Sequence, residues 1–337
     1  MIKYLKVILS ALFIYFSCTN HVHSQQRFDY SNIVDYHVHI FSPELLENLE
    51  QQGYSFKRSG FKVIKERQDY SNLSEISTDN GQSKMLLISV GYAYKNLNGT
   101  LPEREFVKKE NDLLSTMVNA DRERLLGFYG IDPLKDFAIE EIKRCDEKLK
   151  LDGIKLHLQA NNLDLKDTTQ LNKLKEVIQL ADERNIPLLI HNNARDNTFG
   201  KEYFSIFKKE ILDKCEPLTI IFAHCGSGGG MDEFCFNFLN AFRAYVEDHS
   251  KNKKHKIYLD LSAVIKPIAY PGERPKAEFL KLMHEIGLEK FVFGSDYPVR
   301  SSPGYLREVS QLLSIDDEVL ASIAQRNLFE SMRRDKR

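Results

Sequence analysis

The segment Ile33-Val34-Asp35-Tyr36-His37-Val38-His39 is a short apolar run that carries a His-x-His pair at its end. Its isoleucine and valine content predicts a β-strand. In a regular strand alternate side chains share a face, so Asp35, His37 and His39 are expected on one face. Two imidazoles on one surface can hold a metal ion, although ordinary strands carry the same pattern. The rest of the chain has to distinguish these two interpretations.

Strand-like apolar segments alternate with amphipathic helical segments along the rest of the chain. The predicted strands are 33–39, 84–90, 125–131, 153–158, 186–191, 218–224, 256–261 and 291–295, and the last helix is predicted over 317–332. Eight strand-then-helix units predict an α/β fold, a (β/α)8 TIM barrel, with an open doubly wound sheet as the alternative. Residues 42–83 form a long insertion after the first strand, which we expect to act as a lid and to set specificity.

Histidines and one aspartate recur at the ends of the predicted strands. They are His37, His39, His157, His191, His224 and Asp296. The C-terminal ends of barrel strands meet on the face where active sites are built. Several histidines with a carboxylate are typical of a metal centre. Three other histidines do not follow strands, and we interpret His249, His255 and His284 as surface residues.

The N-terminal residues differ in composition from the rest of the chain. Residues 1–6 carry two lysines and residues 7–16 are almost wholly apolar. This order predicts an export signal, with its linker, over residues 1–24, and a buried N-terminal helix is the alternative. Cys18 follows at once, so lipid attachment at this cysteine and ordinary cleavage after Ser24 both stay open. One barrel domain is expected over residues 30–335, in a bacterial protein that is periplasmic or anchored to the membrane as a lipoprotein.

Six motifs in chain order resemble the amidohydrolase superfamily, in its amidohydrolase-2 branch, which is related to aminocarboxymuconate semialdehyde decarboxylase. They are Asp35-x-His37-x-His39, Gly153-Ile154-Lys155-Leu156-His157, His191, Ala223-His224-x-Gly226, Gly294-Ser295-Asp296-Tyr297-Pro298 and Asn327-Leu328-Phe329. The resemblance covers nearly all of residues 33–332. It implies a barrel of the metal-dependent hydrolase type.

The resemblance also implies the metal ligands and the catalytic residues. One divalent metal ion, for which zinc is favoured, is expected on four ligands, namely His37, His39, His191 and Asp296. Asp296 is also expected to accept a proton from water. The resemblance implies that His224 faces the substrate and either binds a second metal or acts in catalysis. We expect the catalytic role, with a hydrogen bond to the substrate carbonyl or to the developing oxyanion.

Three further residues are expected to bind substrate. Lys155 and His157 lie in the fourth predicted strand, and Arg195 follows the fifth strand. Lys155 has an alternative as a barrel-interior lysine paired with Asp260, because a buried lysine needs a partner. Arg195 has an alternative as a solvated surface charge.

The function implied by the resemblance is hydrolysis of an ester, lactone or amide carbonyl of a small molecule. A metal-dependent decarboxylase of the same branch and a non-catalytic exported metal-binding protein are the alternatives. The formal net charge of −1 gives no general attraction to nucleic acid, so no such partner is expected. A membrane, through a lipid on Cys18, and a second copy of the chain in a homodimer are the other expected partners.

Overall fold

The computed structural model describes residues 32–54, 84–97, 99, 101–196, 199–248, 255–266 and 272–333. The predicted export signal with Cys18, His249, the two expected domain limits and residues 55–83 of the expected lid lie outside the described residues. Within the described ranges, every helix is too short or too polar to cross a membrane.

Eight parallel strands lie side by side in the order of the chain. They are β1 Val34–Ile40, β2 Lys84–Ser89, β3 Leu125–Ile131, β4 Gly153–His157, β5 Leu188–His191, β6 Thr219–Phe222, β7 Lys256–Asp260 and β8 Phe291–Val292. The sheet returns to its start, because the Tyr36 amide donates to the Phe293 carbonyl oxygen (2.9 Å) and the Tyr297 amide donates to the His37 carbonyl oxygen (3.2 Å). The predicted (β/α)8 TIM barrel is therefore confirmed.

Helices follow the strands, and most of them cover the outside of the barrel. They are α1 Pro43–Gln51, α2 Glu103–Ala120, α3 Ala138–Glu147, α4 Thr168–Glu183, α5 Gly200–Phe207, α6 Glu233–Glu247, α7 Glu273–Ile286, α8 Ser302–Leu313, α9 Asp317–Ala324 and α10 Phe329–Met332. Aspartate side chains cap three of them, because Asp167, Asp232 and Asp316 accept from the first free amides of α4, α6 and α9. The apolar helix faces pack on the outward side chains of the strands in one large core.

The C-terminal segment closes the barrel interior at the end opposite the polar strand ends. Phe329 and Met332 of α10 join the interior core, which includes Val34 and Tyr36 of β1. The prediction of one helix over 317–332 was wrong, because the Tyr36 hydroxyl interrupts it. That hydroxyl donates to the Arg326 carbonyl oxygen (2.9 Å) and accepts from the Leu328 amide (2.6 Å).

Candidate active site

A β-bulge in β1 decides which of its side chains face the barrel interior. The pairing of β1 with β2 shifts by one residue between Asp35 and Val38. Tyr36 and His37 therefore both face inward, with His39 two residues further on, whereas Val38 packs in the outer core. The prediction that Asp35 shares a face with the two histidines was wrong, because the bulge changes the alternation.

The buried Asp35 carboxylate holds the bulge in place. It accepts from the amides of His37 and Ser295, both at 3.0 Å, and from the Ser302 hydroxyl at 2.7 Å. Burial raises the pKa of Asp35 to about 6, although these hydrogen bonds favour its ionised form. Asp35 thus ties β1 to the chain after β8 and to α8, and it fixes the direction of the His-x-His pair.

Three side chains converge at the mouth of the barrel, where the carboxyl ends of the strands meet. His37 Nε2 lies 3.1 Å from His39 Nε2, and Asp296 Oδ1 lies 3.2 Å from His39 Nε2 and 3.7 Å from His37 Nε2. Because His37 Nδ1 donates to Asp260 Oδ2 (2.8 Å), its Nε2 presents a lone pair. We call His37, His39 and Asp296 the metal cradle, since two imidazoles and a carboxylate at these distances fit a divalent ion.

His191 lies beside the metal cradle rather than within it. Its Nε2 is buried and has no hydrogen-bond partner among the described residues. Its ring stacks on His157, with 3.8 Å between the centroids, and lies edge-on to His224 at 4.7 Å. A buried nitrogen without a partner is costly, so this atom also fits a ligand role. Its assignment as the fourth ligand stays a prediction.

The turn after β6 places His224, and the strand ends at Phe222 rather than at residue 224 as predicted. His224 and Cys225 both adopt a left-handed backbone, each with a φ of 53°. Such strain in residues other than glycine is concentrated at functional sites. His224 Nδ1 lies 2.9 Å from the Ser262 carbonyl oxygen, which can only accept. Nδ1 therefore donates this bond, so the neutral form of the ring presents a lone pair at Nε2. The expected catalytic role of His224 stays a prediction.

Asp260 is the last residue of β7 and Ser262 follows it, and neither was predicted as a site residue. The Asp260 carboxylate accepts from His37 Nδ1 and, at 2.9 Å, from the His224 amide. Ser262 Oγ lies 3.1 Å from His37 Nδ1 and 2.8 Å from His224 Nδ1. These bonds position both rings from one strand end. Asp260 could have been found from the sequence, because it also lies near the C-terminal end of a predicted strand, as the selected histidines do.

Burial favours the neutral form of four histidines of the site. It lowers the pKa of His39, and it lowers the pKa values of His37, His157 and His191 well below the usual range. Burial opposes ionisation of Asp296, yet the hydrogen bond from His39 and the other nearby histidines hold the pKa of Asp296 well below its usual value. Neutral imidazoles and an ionised carboxylate are the forms that bind metal ions.

Lys155 lies on β4 with its side chain fully buried. Its Nζ lies 3.5 Å from His37 Nε2. Burial lowers the pKa of Lys155 to about 8, although Asp260 and Asp296 favour the charged form. Among the described residues no ion pair joins Lys155 to Asp260, so the alternative of a direct pair is not what the structure shows.

The remaining predicted residues fall in two environments. His157 lies at the end of β4 in the mouth, where its Nδ1 accepts from the Ala160 amide (3.1 Å). Arg195 is exposed and its guanidinium donates to the Asn162 side chain, so its substrate role stays a prediction. The interpretation of His255 as a surface residue was wrong, because it is buried and accepts from the Leu218 amide (3.2 Å).

Comparison with solved structures finds other proteins with the same fold. A 5-carboxyvanillate decarboxylase from Sphingomonas paucimobilis is 17% identical, with a TM-score of 0.56 over 90% of this chain and 99% of that one. A manganese-bound dihydroxybenzoic acid decarboxylase from Polaromonas is 16% identical, with a TM-score of 0.54 over 90% and 98%. A probable 2-pyrone-4,6-dicarboxylic acid hydrolase from Acinetobacter baumannii is 16% identical, with a TM-score of 0.50 over 86% and 95%. At these identities the likeness shows the fold.

Comparison by sequence shows the family. No curated protein matches the chain significantly. The family model described as amidohydrolase matches residues 34–327, from the first residue of β1 to the segment between α9 and α10. The match therefore includes the whole barrel and every residue of the metal cradle. This chain belongs to the amidohydrolase family of metal-dependent enzymes.

Proposed function

We propose that this enzyme hydrolyses an ester, lactone or amide carbonyl of a small molecule, with one zinc ion in the metal cradle. The position of Asp296 carries this proposal. Its ionised carboxylate lies within 3.7 Å of both cradle imidazoles, and its side chain remains 17% exposed. One carboxylate can therefore hold a cation and also take a proton from water.

The side chains around the mouth would divide the work of hydrolysis. A bound divalent metal ion would polarise the substrate carbonyl and make water a better nucleophile. Asp296 accepts a proton from the attacking water as the oxygen of that water bonds to the carbonyl carbon. Asp296 then returns this proton to the leaving oxygen or nitrogen as the C–O or C–N bond breaks. His224 Nε2 accepts a hydrogen bond from the second O–H of the water and so orients the attack.

Decarboxylation is the second candidate, and Lys155 favours it. Its buried ammonium has no carboxylate within ion-pair distance among the described residues, so a substrate carboxylate could supply the missing partner. Two of the solved structures compared above are decarboxylases. In that reaction the bond to the carboxylate carbon breaks, CO2 leaves, and the electron pair left behind takes a proton from an acid in the site.

One set of assays separates these reactions. The zinc-loaded protein would be incubated in ¹⁸O-labelled water with an aryl ester, a lactone and an anilide, and separately with ortho-hydroxybenzoates. Hydrolysis predicts one labelled oxygen in the product acid, with loss of turnover after chelation and recovery when zinc is returned. Release of CO2 without label uptake would instead support the decarboxylase. Neither product, in a protein that retains its metal, would favour the non-catalytic binding protein.

The matched variant for these assays is Asp296→Asn, which keeps the shape of the side chain but cannot accept the proton. It should lose turnover and part of its metal affinity together, because a neutral amide is a weaker ligand than a carboxylate. Full turnover in this variant would contradict the proposed role of Asp296.

A further inference from the structure

Two more side chains meet at the mouth of the barrel, outside the metal cradle. Tyr92 lies on the short helical turn Gly91–Ala93 after β2, and His157 lies at the end of β4. Their ring centroids are 5.6 Å apart, and the rings are tilted by 50°. Tyr92 packs among residues that follow other strands, including Phe41 after β1 and Val299 after β8. It therefore belongs to the strand-end face.

The Tyr92 hydroxyl is buried. The residue is 3% exposed, and its oxygen has no hydrogen-bond partner among the described residues. The ring lies against Gly130 of β3, where an added Cβ would come within 2.6 Å of Tyr92 Cδ1. The absence of a side chain at Gly130 therefore makes room for the ring. Because a buried hydroxyl without a partner is costly, a ligand that accepts from it gains affinity.

His157 is fixed as a hydrogen-bond donor by its backbone partner. The Ala160 amide donates to His157 Nδ1 at 3.1 Å, so that nitrogen carries no proton. A ring that accepts at Nδ1 is neutral and carries its proton at Nε2. The stack on His191 holds the plane of the ring. His157 thus presents an N–H, in contrast to the lone pair at Nε2 of His224.

We propose that Tyr92 and His157 together bind an anionic oxygen of the substrate on the β2–β4 side of the mouth. This inference rests on the assignment of the mouth as the substrate site. Two neutral donors stabilise negative charge without a change in their own protonation. The oxygen belongs to a carboxylate substituent of the substrate or to the oxyanion that forms at its reacting carbonyl, and both accept two hydrogen bonds.

Calorimetric titration of the zinc-loaded protein tests this pair without any assay of turnover. The probes are benzoate, benzene-1,3-dicarboxylate and phenylphosphonate. Tyr92→Phe and His157→Phe each remove one donor, and His157→Gln keeps an N–H near the position of Nε2. Tyr94→Phe is the matched control, because that hydroxyl lies in the same segment but donates to the Leu101 carbonyl oxygen (3.1 Å). Elemental analysis establishes equal zinc content in all the proteins.

A carboxylate substituent predicts that the dicarboxylate binds the wild-type protein about tenfold more tightly than benzoate. That advantage should fall about five- to tenfold in Tyr92→Phe and in His157→Phe, return in part in His157→Gln, and persist in Tyr94→Phe. An oxyanion predicts the same losses for phenylphosphonate, with no advantage for the dicarboxylate.

The proposal is overturned if both donor-deleting variants bind the dicarboxylate and phenylphosphonate as the wild-type protein does. It is also overturned if the fully zinc-loaded wild-type protein binds neither probe. These results are independent of the reaction. A wild-type protein that binds the probes but hydrolyses no carbonyl substrate would contradict the proposed hydrolysis and leave the donor pair standing.

Discussion

Hydrogen bonds at Nδ1 give the histidines of the site different properties. His37 and His224 donate from Nδ1, to Asp260 and to the Ser262 carbonyl oxygen, so the neutral form of each ring presents a lone pair at Nε2. His157 accepts at Nδ1 and presents an N–H. The same residue type can therefore bind a cation, accept a proton or donate a hydrogen bond, and the partner decides which. The partners of His37 and His224 are distant in the chain, which is why the sequence predicted the positions of these two histidines better than their roles.

Replacement of His224 by alanine should leave the metal content unchanged and lower turnover by about 10² to 10³. The reason is that its Nε2 lone pair orients the attacking water, while the metal cradle is made of other residues. Elemental analysis and steady-state kinetics on a responsive ester would measure both effects. His284→Ala, at an exposed histidine of α7, is the control. Loss of the metal from His224→Ala would show instead that His224 is a ligand.

The double variant His37→Ala, His39→Ala should lose its metal after dialysis, whereas the wild-type protein should retain about one equivalent. Two of the three cradle side chains are then gone, and a single carboxylate is a weak site for a divalent ion. Metal content by elemental analysis is the measurement, with circular dichroism as the control for folding. If the double variant keeps a full equivalent, the metal binds elsewhere.

At the scale of the elements, the centres of the strands followed from local pattern and several of their ends did not. Apolar runs are enough to predict parallel strands that are covered on both sides. The bulge in β1 depends on Asp35 and its bond to Ser302, and the break after α9 depends on Tyr36. These contacts join residues more than 260 positions apart. Neither contact leaves a periodic signal in the sequence.

The contact between α1 and α2 buries a carboxylate whose protonation should affect stability. Glu110 of α2 is fully buried, and its Oε2 accepts from the amide of Ser42, the residue that caps α1 (3.3 Å). Burial raises the pKa of Glu110 from 4.5 to about 7. The folded state therefore holds the proton more tightly than the unfolded chain does. The resulting stabilisation is complete below pH 4.5 and is lost as the pH rises through 7.

Replacement of Glu110 by glutamine should remove this dependence, because the amide stays neutral and can still accept from the Ser42 amide. The free energy of unfolding at pH 8 should rise by about 1 to 3 kcal/mol relative to the wild-type protein, with a much smaller change at pH 5. Urea unfolding at both pH values would measure it. Glu47→Gln, at an exposed residue of α1, is the matched control. An equal change at the two pH values would rule out titration of Glu110 as the cause.

At the scale of the whole molecule, the count of eight strand-then-helix units was sufficient to predict the barrel and the face that carries the site. The reaction does not follow in the same way, since hydrolysis and decarboxylation can both use a metal beside Asp296 and Lys155. What separates them is the bound substrate, and its proposed contacts include side chains such as Tyr92 that carry no sequence signal. The homodimer stays a prediction, which sedimentation of the purified protein would test.

Export also belongs to this scale, and the N-terminal sequence predicts it. Two lysines precede the apolar residues 7–16, a run too short to span a bilayer but typical of the core of a signal peptide. We propose that the full-length chain is exported and carries lipid on Cys18, which would hold the barrel at a membrane surface. In a bacterial host, the wild-type chain should then fractionate with membranes, and Cys18→Ser should move to the soluble exported fraction.

Fractionation followed by detection of the barrel measures this difference, and His21→Ala in the same segment is the control. If the Cys18→Ser protein is distributed like the wild-type protein, lipid attachment at Cys18 is ruled out and ordinary cleavage after Ser24 is the remaining hypothesis. An uncleaved wild-type chain in the cytoplasm would contradict export as a whole. In either case the barrel should keep its metal, because residues 1–24 precede β1 and contribute none of the side chains of the metal cradle.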